Sequence, residues 1–195
     1  ERIYSITPSV QAVGFSDDAY KPGLAGMQAF GERLGRPWEK YRCIHVAGTN
    51  GKGSVASMLA AAIAGGTLLR RPAPTKVGLY TSPHLVDFRE RMKVVTAGGW
   101  TMPSKEEVWE FFQTYLCDSA GELDTHSLSF FEMTTGLAFW WFARQGVDWA
   151  VIEAGLGGRL DSTNIITPEI SIITSIGLDH CALLGSTRGA IAYEK

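Results

Sequence analysis

The sequence is poor in cysteine and nearly balanced in charge. Its three cysteines are odd in number and far apart, at Cys43, Cys117 and Cys181, which argues against a disulfide framework or a zinc cluster. Free thiols fit a reducing compartment, so we expect a cytoplasmic protein. Lys and Arg total 18 against 20 Asp and Glu, for a formal net charge of −2, so the chain has no broad basic field for nucleic acid. Anionic ligands would have to be bound by local features.

The sequence also lacks a long apolar run, an internal repeat and a low-complexity tract. Its most apolar stretch, residues 55–69, is interrupted by Gly65 and Gly66 and is too short to span a bilayer. The first residues do not show the basic and apolar pattern of a signal peptide, and we expect no membrane role. A chain of 195 residues, 45% of them hydrophobic, can bury one sizeable core. We predict a single α/β domain over residues 1–195, in which residues 1–42 form an N-terminal flank or lid.

What the sequence does contain is a glycine-rich loop between a predicted strand and a predicted helix. The loop is Gly48-Thr49-Asn50-Gly51-Lys52-Gly53-Ser54. Backbone N–H groups of such a loop can wrap around phosphates, and the helix N-terminus and a lysine add positive charge. Gly53 separates Lys52 from the hydroxyl of Ser54, whereas the common phosphate loop has Lys followed directly by Ser or Thr. An ordinary glycine-rich turn is the alternative, but Lys52 before an apolar helix favours ATP binding.

The rest of the chain alternates predicted strands and helices, which is typical of a mostly parallel α/β sheet flanked by helices. Capping-box patterns at Ser104 and Ser129 predict helix starts, and residues 92–102 are predicted to form a small hairpin. Residues 65–75 and 87–91 are predicted to be surface loops. The predicted helices are residues 22–34, 52–64, 104–116, 129–143 and from 190 onward, and the predicted strands are residues 43–47, 77–81, 149–153 and 170–176.

Polar residues follow several of these strands at their carboxyl ends. Ser82 follows the second strand, Glu153 ends the third, and Asp179 and His180 follow the fourth. If the strands are parallel, these residues meet the glycine-rich loop at one edge of the sheet, where α/β sheets bind ligands. Hydroxyl, carboxylate and phosphate oxygens suit Mg²⁺, so a nucleotide–magnesium site is predicted. His180 is less expected as a ligand for a hard cation, and a hydrogen-bonded structural histidine is the alternative.

Five blocks of the sequence resemble the folylpolyglutamate synthase and dihydrofolate synthase family, in the Mur ligase superfamily. The first block is Ile44-His45-Val46-Ala47-Gly48-Thr49-Asn50-Gly51-Lys52-Gly53-Ser54-Val55. The others lie at residues 79–91, 151–164, 174–180 and 191–195. The resemblance covers the chain from about Tyr20 onward, and the glycine after Lys52 is the family's own form of the loop.

The resemblance implies an ATP-dependent ligase that joins L-glutamate to the carboxyl group of dihydropteroate or to the γ-carboxyl of a folate's glutamate tail. In that reaction the acceptor carboxylate attacks the γ-phosphorus of ATP, and the glutamate amine then attacks the resulting acyl phosphate. The implied cofactors are ATP and one or two Mg²⁺ ions. The implied partners are small molecules, namely pterin or folate, L-glutamate and ATP, and we expect a monomer.

The resemblance also assigns roles to individual residues. The loop from Gly48 to Ser54 would bind the ATP phosphates, and the residues implied as metal positions are Ser82, Glu153, His180 and Lys195. Lys195 matches a lysine that is often carbamylated in the family, and the residues implied as catalytic are Lys52, His180 and Lys195. The pterin end of the substrate would be held by Phe131, Asp161 and Ser162, although Phe131 is equally compatible with a core aromatic.

Members of the family continue into a C-terminal domain that helps to bind nucleotide and glutamate. We expect that domain to be absent from this chain and the isolated chain to have little ligase activity. Two alternatives stay open, a UDP-muramyl amino-acid ligase of the same superfamily and a non-catalytic P-loop module. The segments Ser82-Pro83-His84 and 160–164 favour the folate branch over the first, and the absence of other base-recognition motifs argues against the second.

Overall fold

The computed structural model describes residues 23–66, 75–118, 120 and 128–195. The predicted lid over residues 1–42 therefore falls partly outside the described residues, and the predicted connection at residues 65–75 falls mostly outside them. Within the described ranges, no helix is long and apolar enough to cross a bilayer.

A mixed sheet of six strands forms the centre of the described structure. The strands are β1 Arg42–Ala47, β2 Val77–Tyr80, β3 Met92–Thr96, β4 Gly99–Thr101, β5 Trp149–Glu153 and β6 Ile170–Ile173. Their order is β4-β3-β2-β5-β1-β6. The four strands β2, β5, β1 and β6 are parallel, whereas β3 and β4 add an antiparallel hairpin at one edge. The predicted α/β class, the mostly parallel sheet and the small hairpin are confirmed.

Helices cover both faces of this sheet. They are α1 Ala25–Arg33, α2 Lys52–Ala64, α3 Lys105–Tyr115, α4 Phe130–Gln145, α5 Cys181–Leu184 and α6 Arg188–Glu194. The predicted capping boxes are present, because the side chains of Ser104 and Ser129 accept the N–H groups of Glu107 and Glu132 at the starts of α3 and α4. These contacts satisfy backbone donors that the first helical turn leaves unpaired.

The core lies in two layers, one on each side of the sheet. Helix α2 packs with its alanines and Ile63 over β1, β2 and β5. The other layer is aromatic and is organised around α4, which is buried nearly all round, as its apolar sequence predicts. Phe142 of α4 lies directly against Gly78 of β2, where an added Cβ would come within 2.8 Å of the ring. Both layers pack against the strands whose carboxyl ends carry the candidate site.

The structure corrects several predicted boundaries. Residues 87–91 are not a loop, because Phe88–Arg91 form a 3₁₀ turn in which the Asp87 carboxylate accepts the N–H of Arg89. Helix α1 begins at Ala25 rather than at residue 22. Strand β6 ends at Ile173, because the residues that follow turn to hydrogen-bond the glycine-rich loop. The strand is largely exposed, and it lies at an edge of the described sheet with β1 as its one neighbour.

Candidate nucleotide and metal site

The glycine-rich loop connects β1 to α2, and two of its glycines are required by the backbone. Gly48 has φ of 137°, and an added Cβ would lie 1.9 Å from Oγ1 of Thr174. Gly51 is the N-cap of α2 with φ of 81°. Both φ values fall in the region that side chains with a Cβ rarely adopt. The loop therefore turns sharply at the carboxyl end of β1 and presents the N-terminus of α2 beside it, a geometry suited to anions.

Two hydroxyl residues that follow β6 brace this loop, and sequence reasoning assigned them no role. Thr174 Oγ1 donates to the carbonyl oxygen of Asn50 at 2.8 Å, and the N–H of Thr49 donates to the carbonyl of Ser175 at 2.7 Å. The N–H of Gly177 donates to Thr49 Oγ1 at 3.0 Å. The signal was present as two hydroxyls directly after an apolar strand. These hydroxyls reach the loop only because β6 lies next to β1 in the sheet. Strand order cannot be predicted from a local sequence pattern.

Glu153 lies at the end of β5 and is only 4% exposed. Its Oε2 accepts the backbone N–H of Ser82 at 3.0 Å. Burial raises the pKa of Glu153 above its ordinary value, while the Ser82 N–H, the Lys52 ammonium and the Gly53 N–H oppose that rise. An added Cβ at Gly53 would be 3.3 Å from Oε2, so the glycine after Lys52 lets this carboxylate approach the loop closely.

Lys195 reaches the same loop from the far end of the chain. Its Nζ donates to the carbonyl oxygen of Gly48 at 2.8 Å. Desolvation lowers the pKa of Lys195, and repulsion from the Lys52 ammonium lowers it further. Lys195 is the C-cap of helix α6, and the end of this helix is held by the ion pair of Arg159 and Glu194 at 2.7 Å. The ammonium therefore lies beside the predicted phosphate loop.

His180 and Ser82 complete the predicted metal positions. Ser82 sits after β2, with a cis bond to Pro83, and its N–H contacts Glu153. His180 precedes α5 with φ of 50°, and its Nε2 lies 3.6 Å from Oδ2 of Asp179. Among the described residues, no group of three or more His, Cys, Asp and Glu side chains is arranged to hold a metal ion. Oxygens from a bound nucleotide would have to complete any such site.

The three predicted pterin-binding residues lie around the loop that follows β5. The Phe131 ring packs directly over Gly155, where an added Cβ would come within 2.5 Å of it. Asp161 is 4% exposed, and its Oδ2 accepts the N–H of Leu156 at 2.8 Å. Ser162 is buried and begins the 3₁₀ turn Ser162–Ile165. Their role toward a substrate stays a prediction.

A further polar contact, which sequence reasoning did not find, links β1 to this loop. His45 Nε2 lies 2.8 Å from Thr163 Oγ1, and that hydroxyl donates to Asp161 Oδ1. His45 is 6% exposed, and desolvation lowers its pKa. A histidine in the middle of an apolar strand was the available signal, because a buried polar side chain requires a partner.

A mostly parallel sheet with a glycine-rich loop between β1 and α2 defines a P-loop α/β domain. No family model matches the chain. It is 42% identical to a probable bifunctional folylpolyglutamate synthase/dihydropteroate synthase of Haloferax volcanii, over 90% of this chain and 20% of that protein. It is 40% identical to the dihydrofolate synthase/folylpolyglutamate synthase of Bacillus subtilis, over 90% of this chain and 39% of that protein.

Solved structures of folylpolyglutamate synthase/dihydrofolate synthase proteins also match this chain. Escherichia coli FolC in complex with DHPP and ADP matches with a TM-score of 0.75 and 34% identity, over 90% of this chain and 39% of that one. A bifunctional folylpolyglutamate synthase/dihydrofolate synthase with Mn, AMPPNP and L-glutamate bound matches with a TM-score of 0.72 and 34% identity, over 90% of this chain and 39% of that one. The chain is thus a homologue of the folylpolyglutamate synthase/dihydrofolate synthase family and matches the N-terminal part of those proteins. It spans about two fifths of the length of the Bacillus subtilis relative.

Proposed function

We propose that this chain is the ATP-binding part of a Mg²⁺-dependent ligase that adds L-glutamate to dihydropteroate, to folate polyglutamates, or to both. The observation that carries the proposal is the approach of Glu153 and Lys195 to the glycine-rich loop that contains Lys52, at the carboxyl edge of a parallel sheet. The relatives with bound ADP and DHPP, or AMPPNP and L-glutamate, support the same choice of substrates. The ligase acts in the cytoplasm as a monomer, and a second domain supplies the remaining contacts to nucleotide and glutamate.

The oxygen donors at the strand ends fit a hard divalent cation. Glu153 is a desolvated carboxylate held by the N–H groups of Ser82 and Gly53, and a cation beside it would offset the unfavourable burial of its charge. Mg²⁺ is usually bound by one or two carboxylates together with substrate phosphates. Glu153 and the hydroxyl of Ser82 would hold the ion, with His180 at a second metal position. When bound, the ion supplies charge neutralisation at the nucleotide phosphates.

The residues of this chain prepare ATP for attack by a carboxylate. The loop N–H groups, the N-terminus of α2 and Lys52 hold the phosphates and stabilise the charge that develops during transfer. An oxygen of the acceptor carboxylate forms a bond to the γ-phosphorus while the bond to the β-phosphate oxygen breaks, giving an acyl phosphate and ADP. The glutamate amine then attacks the acyl carbon, loses a proton and expels phosphate. The product of this step is an amide. Throughout the reaction, the pterin end of the acceptor is held by Phe131, Asp161 and Ser162.

Lys195 acts as a carbamylated residue in this proposal. Its neutral amine attacks CO₂, which forms an N–C bond and releases a proton. The lowered pKa of Lys195, caused by desolvation and by the nearby Lys52 ammonium, increases the neutral fraction that this reaction needs. The carbamate would carry a negative charge beside the loop. It would attract the Lys52 ammonium instead of repelling it, and it would offer oxygen ligands to a metal ion held there.

The experiment that tests the proposal measures ADP release by the complete protein with MgATP, L-glutamate and either dihydropteroate or tetrahydrofolate. We expect turnover that requires both acceptor and glutamate. Lys52→Ala and Glu153→Gln should each lower kcat by about 100-fold or more, the usual cost of removing one transition-state charge contact. Lys40→Ala, at the exposed end of the 3₁₀ turn Pro37–Lys40, is the matched control and should retain activity. Full turnover in both site variants would refute the site, and turnover only with a UDP-muramyl acceptor would refute the substrate class.

A further inference from the structure

The donors and acceptors of the buried hydrogen bonds among His45, Thr163 and Asp161 can be assigned. The Asp161 carboxylate accepts hydrogen bonds from the backbone N–H groups of Leu156 and Thr163 and from the hydroxyl of Thr163. A hydroxyl has one proton, and the Thr163 hydroxyl donates that proton to Asp161 Oδ1. The hydroxyl oxygen must therefore accept from His45, whose Nε2 lies 2.8 Å away. It follows that His45 carries a proton on Nε2.

We call this chain of hydrogen bonds from His45 through Thr163 to Asp161 the relay. It joins two parts of the candidate site that are distant in sequence. His45 belongs to β1, three residues before the glycine-rich loop, and Asp161 and Ser162 belong to the loop between β5 and β6. The backbone of the glycine-rich loop is held from the other side, by Thr174 and the residues that follow it. Loss of the relay should therefore release the Asp161–Ser162 turn and leave the phosphate loop in place.

We infer that His45 is a positioning residue, which acts through Thr163 to orient the Asp161–Ser162 turn for the acceptor substrate. The inference rests on the proposed function, because it takes this turn to face the pterin acceptor. Asp161 has both oxygens engaged within its own loop, so it sets the shape of the turn. The chemical class recognised by the turn is a pterin-containing carboxylic acid.

The test uses the complete protein with dihydropteroate as the acceptor and AMPPNP with Mg²⁺ as the nucleotide, and measures the two affinities separately. His45→Leu and Thr163→Val should each weaken dihydropteroate binding about five- to tenfold, the usual value of one buried hydrogen bond. The double variant should be no weaker than either single one, because both changes break the same relay. Nucleotide affinity should stay unchanged, and Thr163→Ser, which keeps the hydroxyl, should restore acceptor binding.

Tyr41→Phe is the matched control, because it removes a buried hydrogen bond from Tyr41 to the carbonyl of Phe139, away from the relay. It should lower the free energy of unfolding and leave dihydropteroate affinity unchanged. Nitrogen NMR of the wild-type imidazole should show a protonated Nε2 and a bare Nδ1 for His45, a readout that does not depend on any ligand and that stands if His45→Leu does not fold.

Three results would contradict the inference. His45→Leu and Thr163→Val could bind dihydropteroate as the wild type does, or the His45 proton could be found on Nδ1. Either result removes the positioning role and leaves the proposed ligase function intact. If the wild-type protein bound the nucleotide but neither dihydropteroate nor folate, the proposed function would fail, and the inference would fail with it.

Discussion

Glu153 is a carboxylate that the fold buries at the end of β5, and it ties the stability of the protein to pH. Burial raises its pKa in the folded protein above the value in the unfolded chain. The folded state therefore binds this proton more tightly, and the contribution of Glu153 to stability is fully present below the unfolded pKa. That contribution is lost as the pH rises through the higher folded pKa.

We predict that wild type loses stability relative to Glu153→Gln as the pH rises from about 4.5, the ordinary glutamate pKa, toward neutrality. The comparison removes the titration of all other groups, because they are common to both proteins. Urea unfolding at a series of pH values, without nucleotide or metal, gives the two free energies. A difference that does not change with pH, or one in which wild type gains stability as the pH rises, would show that burial does not raise the pKa of Glu153.

The conformation of the glycine-rich loop depends on a neighbouring element as well as on its own glycines. The segment after β6 holds the loop through Thr174 and the backbone of Ser175 and Gly177. A side chain at position 48 would clash with Thr174, because an added Cβ on Gly48 would lie 1.9 Å from Thr174 Oγ1. The loop and the end of β6 therefore form one unit, and a change in the second should alter nucleotide binding by the first.

Thr174→Val should weaken binding of AMPPNP with Mg²⁺ about fivefold, because it removes a hydrogen bond worth about 1 kcal/mol and leaves the Asn50 carbonyl without that donor. Isothermal calorimetry on the complete protein measures the change, and Thr174→Ser should bind like wild type. Thr114→Val is the control, because that hydroxyl donates to the carbonyl of Glu110 on the exposed face of helix α3. Equal affinities in Thr174→Val and Thr114→Val would mean that the brace does not support the nucleotide.

Elements whose signals are local could be predicted from the sequence. Helix α2 has the predicted bounds, and the caps at Ser104 and Ser129 lie where their spacing placed them. The 3₁₀ turn at Phe88–Arg91 was wrongly predicted as a loop, because the turn is only four residues long and shows no apolar periodicity, although Asp87 and Glu90 have the capping-box spacing. The exposure of β6 was also missed, since strand order follows from tertiary packing.

The parallel sheet explains why residues far apart in sequence meet at one candidate site. The carboxyl ends of β1, β2 and β5 bring Lys52, Ser82 and Glu153 to one edge, as parallel strands predict. Lys195 contacts Gly48 although 147 positions separate them. The relay from His45 to Asp161 could not be predicted, because it depends on the path of the loop after β5 and not on any strand pattern.

The proposed function requires that this edge of the sheet activates a carboxylate with ATP, and transfer of an oxygen label from the acceptor shows whether it does. The complete protein is supplied with MgATP, L-glutamate and dihydropteroate whose carboxyl group carries ¹⁸O. If an acyl phosphate forms, one labelled oxygen passes from the carboxyl group to the phosphate that is released, and mass spectrometry detects it there. Unlabelled phosphate accompanying amide formation, or label found in AMP, would show that no acyl phosphate forms and would refute the proposed function.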